Sequence, residues 1–68
     1  MQNLIIISNE KFSQTDNNYF CNNKDLKTLP EGLSKFFKVK LIARQSGYSQ
    51  FFKLNNELLE IKIFSNIL

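Results

Sequence analysis

The side chains that most often perform catalysis or bind metals are scarce in this sequence of 68 residues. Histidine is absent and Cys21 is the only cysteine, so the usual zinc and haem ligand sets are missing. A thiol nucleophile at Cys21 would need a nearby base, which leaves only Lys24 or a carboxylate. We therefore predict that Cys21 is a buried, unreactive thiol beside Phe20, and we predict no metal and no cofactor.

Acidic residues and glycines are present, but their spacing does not identify a catalytic site. The carboxylates considered are Asp16, Asp25, Glu31, Glu57 and Glu60. No spacing places two of these on one structured face at the end of a strand, so we expect them at the surface. Neither Gly32 nor Gly47 follows the first apolar segment, so a dinucleotide-binding fingerprint and a phosphate-binding loop are both absent. The catalytic residues, if the chain has any, stay unknown.

Basic residues provide two candidate binding features. Residues 35–40 interleave lysine with phenylalanine, which is typical of proteins that bind single-stranded nucleic acid. A helix followed by a strand would instead bury Phe36 and Phe37 and direct the lysines to solvent, so we do not expect a nucleic-acid partner. Arg44 ends a predicted strand, at the edge where open α/β sheets bind ligands. The alternative is that Arg44 only marks the point where the strand reaches water.

The predicted elements begin with a strand at residues 3–9, which contains the continuous apolar run from Leu4 to Ile7. Such a run is typical of a strand that is covered on both faces in a parallel sheet. Residues 10–23 are mostly polar and predict a long loop. The alternative is a hairpin that joins residues 11–15 to residues 19–21 through a turn at Asn17-Asn18.

The clearest helix signal lies at residues 28–38. Thr28 and Glu31 have the spacing of a capping box, and Pro30 would fall in the first turn, where its missing N–H costs nothing. An apolar stripe with helical spacing is formed by Leu29, Leu33, Phe36 and Phe37. The alternative is a helix that begins at Lys24 or Asp25 and has a kink at Pro30.

Two further strands are predicted at residues 39–43 and 59–64, and residues 48–54 fit a short helix or an edge strand equally well. A strand, a helix and a strand in succession form a right-handed crossover, which makes the two strands parallel. We therefore predict an α/β fold: a partial Rossmann-like β-α-β unit plus a third strand, which is a three-stranded sheet with one main helix.

Length and composition indicate one small domain. A chain of 68 residues is too short for a complete two-domain enzyme, and its 43% hydrophobic content argues against disorder. The first apolar run is short and follows no positive charge, so we expect a cytoplasmic protein without a signal peptide or a transmembrane segment. Three strands and one helix leave one sheet face uncovered, and the end of the chain at Ile67-Leu68 is apolar. We therefore expect residues 1–68 to form a single incomplete α/β domain.

Three segments also occur in a recognisable order. They are a strand ending Ile7-Ser8-Asn9, a polar loop holding Asn18-Tyr19-Phe20, and, after a helix, the run Phe37-Lys38-Val39-Lys40-Leu41-Ile42-Ala43-Arg44. This order resembles the amino-terminal edge of the GT-B glycosyltransferases, most closely the subfamily 4-like, group 1 type. The resemblance covers residues 3–44, with a looser match of residues 61–64 to a third strand. The glycine-rich turn that many members have after the first strand is replaced by Asn9-Glu10-Lys11.

The resemblance implies an amino-terminal, acceptor-side piece of an enzyme that transfers a sugar from a nucleotide-sugar donor to a glycan or lipid-linked acceptor, as in bacterial surface-polysaccharide synthesis. The donor domain is not in this chain, so the piece would be inactive alone. By position, Asn9, Asn18 and Tyr19 would hydrogen-bond to a sugar or stack on it, and Arg44 would attract an acceptor phosphate. Alternatively, Tyr19 and Phe20 form a hydrophobic clip over the helix.

The implied partner is the missing carboxyl-terminal donor domain, or another chain that covers the open sheet face. A nucleotide-sugar would reach this chain only through that domain. The alternative function is a small non-enzymatic α/β interaction module that dimerises or binds a protein partner. Whether the chain belongs to an enzyme is therefore left open by its sequence.

Overall fold

The computed structural model describes residues 1–48 and 50–64, which form one mixed sheet and one helix. The elements in chain order are β1 (Gln2–Thr15), β2 (Asn18–Cys21), α1 (Asp25–Leu33), β3 (Phe37–Gln45), β4 (Phe52–Lys53) and β5 (Leu59–Phe64). Their order across the sheet is β4-β2-β1-β3-β5. The strands β1, β3 and β5 are parallel, whereas β2 runs antiparallel to both β1 and β4.

The predicted three-stranded sheet is therefore wrong, because the sheet has five strands in the described part of the chain. Most of the error lies in residues 10–23, which we predicted as a loop. There β1 continues to Thr15, and the chain returns as β2 after a turn in which Asp16 has a φ of 56°. Aspartate tolerates this left-handed conformation better than most residues do. The alternative of a hairpin is the observed structure, but its turn lies at Asp16-Asn17 and not at Asn17-Asn18, because Asn18 pairs with Thr15 in β2.

The long strand β1 joins the parallel and antiparallel halves of the sheet. Residues 2–7 and 11–12 pair with β3, and residues 13–15 pair with β2. Within the part that pairs with β3 the register shifts, since Ile7 lies opposite Ile42 but Lys11 lies opposite Arg44. The extra residues of β1 form an irregularity of the kind that bends a strand and increases its twist. One strand can therefore have different partners along its length.

The helix lies earlier than the predicted residues 28–38, so that prediction is also wrong. It begins at Asp25, one of the alternative starts, and ends at Leu33. The capping box does not form, because the Thr28 hydroxyl donates to the carbonyl of Lys24 at 3.2 Å. Instead, the side-chain oxygen of Asn23 accepts a hydrogen bond from the Asp25 amide at 3.0 Å. An asparagine oxygen can satisfy a helix-start amide as a hydroxyl would, which explains the earlier start.

The apolar side of the helix differs from the predicted stripe for the same reason. Leu29 is 62% exposed and Phe36, which lies beyond the helix, is 71% exposed. The helix packs on the sheet through Leu26, the buried Pro30 and Leu33, which are also spaced at i, i+4 and i+7. Among the described residues, no helix has the length and apolar character that crossing a bilayer requires.

The core lies between the helix and one face of the sheet. Its buried residues are Phe12, Cys21, Val39, Leu41, Ala43, Leu54 and Leu59. Three of them alternate along β3, which is the strand between the two parallel neighbours β1 and β5. The prediction that Cys21 is buried is confirmed.

Replacing Leu41 by alanine tests whether this face of β3 is the core. Leu41 has no exposed surface, so Leu41→Ala should lower the free energy of unfolding by about 2 to 5 kcal/mol. The matched control is Ile7→Ala on the other face, where Ile7 is 76% exposed and the loss should stay below about 1 kcal/mol. Urea denaturation followed by circular dichroism measures both. Equal losses for the two variants would contradict this assignment of the faces.

Candidate functional site

The candidate site is the sheet face opposite the core and the helix. Side chains alternate between the two faces of a strand, so the residues between Val39, Leu41 and Ala43 point away from the core. The strand register extends this assignment to β1 and β5. We call this surface the open face, and its residues are Asn3, Ile5, Ile7, Lys11, Lys38, Lys40, Ile42, Arg44, Glu60, Lys62 and Phe64.

Large apolar side chains are exposed on the open face. Ile5 is 58% exposed, Ile7 76% and Phe64 49%, and the half-buried Ile42 lies beside Ile7 in the strand register. Single exposed apolar side chains are common on protein surfaces, but neighbouring ones more often mark an interaction site. Strands of parallel sheets are usually covered on both faces. The open face therefore has the character of a surface that another element covers.

Positive charge is concentrated on the same face. It holds five cationic side chains, Lys11, Lys38, Lys40, Arg44 and Lys62, and one acidic side chain, Glu60. The resulting charge is +4, whereas the formal net charge of the whole chain is +3. The charged side chains elsewhere in the chain therefore sum to −1. An anionic partner would be attracted to this face.

Within the open face, the one carboxylate is already paired. The Nζ atom of Lys40 lies 3.4 Å from a carboxylate oxygen of Glu60. The Nζ atom of Lys62 lies 5.8 Å from the centre of the Phe64 ring, within the range of a cation–π contact. A shallow depression of about 280 Å³ lies next to Lys40, at the end of the face where the parallel strands begin. Apart from Lys40, the cations of this face form no salt bridge with any described residue.

The four residues proposed for acceptor binding lie in two places. Arg44 is exposed on the open face, and Asn9 is exposed in the nearby irregular part of β1. Asn18 and Tyr19 belong to β2, and the partly buried Tyr19 packs against the core. The structure thus groups Asn9 with Arg44 and Asn18 with Tyr19, but it does not gather all four in one pocket.

Asn18 contributes to a separate cleft of about 700 Å³ between the helix and the segment around β4. The cleft is lined by Asn18, Lys27, Phe51, Phe52, Lys53, Leu54, Asn55, Asn56 and Glu57. Phe51 is 86% exposed there, and the Asn56 side-chain amide donates to the carbonyl of Asn17. An exposed ring next to amide groups can both stack on a ligand and hydrogen-bond to it.

The helix is tied to this cleft by one carboxylate. The Nζ atom of Lys27 lies 2.9 Å from Oε2 of Glu31, and the same oxygen accepts a hydrogen bond from the Asn55 amide at 3.0 Å. Glu31 was predicted as a capping residue, but it instead connects α1 to the loop that precedes β5. Sequence spacing could not reveal this contact, because Asn55 lies 24 residues further along the chain.

The thiol of Cys21 is poorly suited to act as a nucleophile. Burial raises the pKa of Cys21 above its ordinary value of 9.0. The protonated thiol also donates a hydrogen bond to the carbonyl of Asn23 at 3.3 Å. The thiolate is therefore scarce at neutral pH, and the thiolate is the reactive form. No group of three or more histidine, cysteine or acidic side chains suited to a metal ion occurs in residues 1–48 and 50–64.

Sequence motifs singled out Arg44 and the segment 35–40, which holds Lys38 and Lys40, but not the other residues of the open face. The signal that could have found them is the alternation at residues 38–44 and 60–64, where basic and apolar side chains occupy every second position. Comparison of the chain with protein-family models, with curated proteins and with solved structures found no match. Evidence for function therefore comes from the geometry and charge of this chain.

Replacing Glu31 by alanine tests the connection between the helix and the cleft. Because Glu31 is only partly exposed, losing its charged hydrogen bonds should lower the free energy of unfolding by about 1 to 2 kcal/mol. The control Glu57→Ala removes an exposed carboxylate of the same cleft and should change the free energy of unfolding by less than about 0.5 kcal/mol. Urea denaturation measures both variants. A loss for Glu57→Ala as large as that for Glu31→Ala would refute the bridging role.

Proposed function

We propose that this chain is a small non-enzymatic interaction module that binds a protein partner with a negatively charged surface through the open face. The proposal rests on the distribution of charge: the open face has a charge of +4, and the other charged side chains sum to −1. The exposed Ile5, Ile7 and Phe64 supply apolar area at the same place. Complementary charge guides such a partner to the face, and burial of the apolar side chains stabilises the complex.

A protein partner explains the open face better than dimerisation does. Two copies that met through this face would each bring its excess of positive charge to the interface. Like charges that are brought together at an interface reduce the binding free energy by several kcal/mol. We place the module in the cytoplasm, because its single cysteine is free and buried, as is common where thiols stay reduced.

Fluorescence anisotropy with a labelled polyglutamate peptide tests the charge preference of the face. The peptide should bind, and binding should weaken as NaCl rises from about 50 to about 200 mM, because salt screens exposed charges. Lys62→Glu should weaken binding by about fivefold, which corresponds to roughly 1 kcal/mol. The control Lys24→Glu makes the same charge change on the exposed residue before α1 and should alter binding by less than about twofold.

The pair of charge variants separates a specific face from a general effect of net charge. Equal weakening by Lys62→Glu and Lys24→Glu would mean that the peptide responds only to the net charge of the chain. Equal weakening, or no binding of polyglutamate to the unaltered chain, would refute the proposal.

The second candidate function is the acceptor side of a glycosyltransferase, with its donor domain supplied outside this chain. The observation that favours it is the cleft beside Asn18, in which the exposed Phe51 ring lies near the amides of Asn55 and Asn56. Aromatic rings and amides suit the apolar faces and hydroxyl groups of sugars. In that case the open face would be covered by the rest of the parent domain.

Saturation-transfer NMR with oligosaccharides of glucose and of N-acetylglucosamine tests this second function. Magnetic saturation should be transferred from the protein to the protons of the sugar. Phe51→Ala should abolish this transfer because the stacking ring is lost. The control Phe36→Ala removes an equally exposed ring outside the cleft and should leave the signal unchanged. Absence of transfer with the unaltered chain, or persistence in Phe51→Ala, would exclude saccharide binding at this cleft.

A further inference from the structure

We infer that the element which docks on the open face is an amphipathic helix with acidic residues on both sides of its apolar stripe. This inference rests on the proposed function and adds the shape of the partner to it. It follows from the way in which apolar and cationic side chains are arranged on the three parallel strands.

The apolar side chains form a diagonal band across β1, β3 and β5. Ile5 lies on β1, Ile42 lies one row further on β3, and Phe64 lies a further row along on β5. Ile7 widens the band beside Ile42. From Ile5 to Phe64 the band crosses two inter-strand spacings and advances by four residues in the strand direction. Together these displacements give the band a length of roughly 16 Å. That length matches about 11 residues, or three turns, of an α-helix.

Cations flank this band on both sides. Lys40, the neighbour of Ile5, and Lys62, the neighbour of Ile42, lie on one side. Glu60 lies on that side too and is paired with Lys40 at 3.4 Å, so Lys62 is the cation that this side leaves for a partner. Arg44 lies on the other side, and Lys11 is opposite it in the register of β1 and β3. A complementary partner therefore needs one apolar stripe with anionic side chains along both of its borders. An amphipathic helix has this arrangement, because its polar face begins on each side of the apolar stripe.

Other occupants fit the open face less well. Single-stranded nucleic acids bind to aromatic platforms, but Phe64 is the one aromatic residue of this face, and its other large apolar residues are isoleucines. An added strand would pair with an edge of the sheet, at β4 or β5, and would leave the face uncovered. The breadth of the three strands, about 10 Å between β1 and β5, is close to the diameter of one helix.

Two labelled peptides of identical leucine and glutamate composition test the inference. One places leucine at i, i+3, i+4 and i+7 so that the leucines form one stripe, and the other distributes them around the helix. We expect the amphipathic peptide to bind at least about tenfold more tightly. We also expect its helix content, followed by circular dichroism, to rise when the protein is added.

Two protein variants locate the binding. Ile7→Ser removes an apolar side chain from the band and should weaken binding of the amphipathic peptide by about tenfold. The control Phe51→Ser removes an exposed apolar side chain from the cleft and should change binding by less than about twofold. Urea denaturation of both variants confirms that each remains folded. Equal weakening by the two variants would overturn the assignment to the open face.

The outcomes separate this inference from the function on which it rests. Equal binding of the two peptides would overturn the helical partner but leave an acidic partner for the open face. Failure of both peptides and of polyglutamate would overturn both proposals. Binding to phosphatidylserine vesicles but to neither peptide would assign the face to a membrane surface and overturn both. A dimer in light scattering that Ile7→Ser dissociates would instead assign the face to a second copy.

Discussion

In the described part of the chain, a single helix of nine residues covers a five-stranded sheet, and it can cover only one of the two faces. The other features of the molecule follow from this constraint. The alternating residues of β3 become a buried set that includes Val39 and Leu41 and an outward set that includes Lys40 and Ile42. The outward set and its neighbours on β1 and β5 form the open face. A small chain of this size has few residues with which to cover it.

The sheet reaches five strands because β1 has different partners along its length. Its first part extends the parallel layer with β3, and its last part starts the hairpin with β2. The irregularity between Ile7 and Lys11 lies within the first part, and the hairpin begins beyond it at Ser13. The hairpin and the short β4 strand then close one side of the core, where Cys21 and Leu54 are buried. The glycosyltransferase resemblance did not anticipate this antiparallel half.

Charge is sorted between the two sides of the molecule. On the helix side, Lys27 and Glu31 form a short ion pair that also binds the Asn55 amide, so charge there stabilises the packing of loops. On the open face, one ion pair leaves an excess of cations beside exposed isoleucines. Exposed cations contribute little to stability, but they direct the approach of a charged partner. The two sides thus use similar residues for different physical purposes.

Local patterns determined the strands around Leu4, Leu41 and Ile61, the burial of Cys21 and the presence of a helix near Pro30. These features depend on periodicity and hydrophobicity, which neighbouring residues already contain. The sequence left the start of the helix and the polar hairpin as alternatives, and the structure decided between them. Tertiary structure alone decided the contact between Glu31 and Asn55. It also decided which side chains share the open face, because strand register brings together residues that are far apart in the chain.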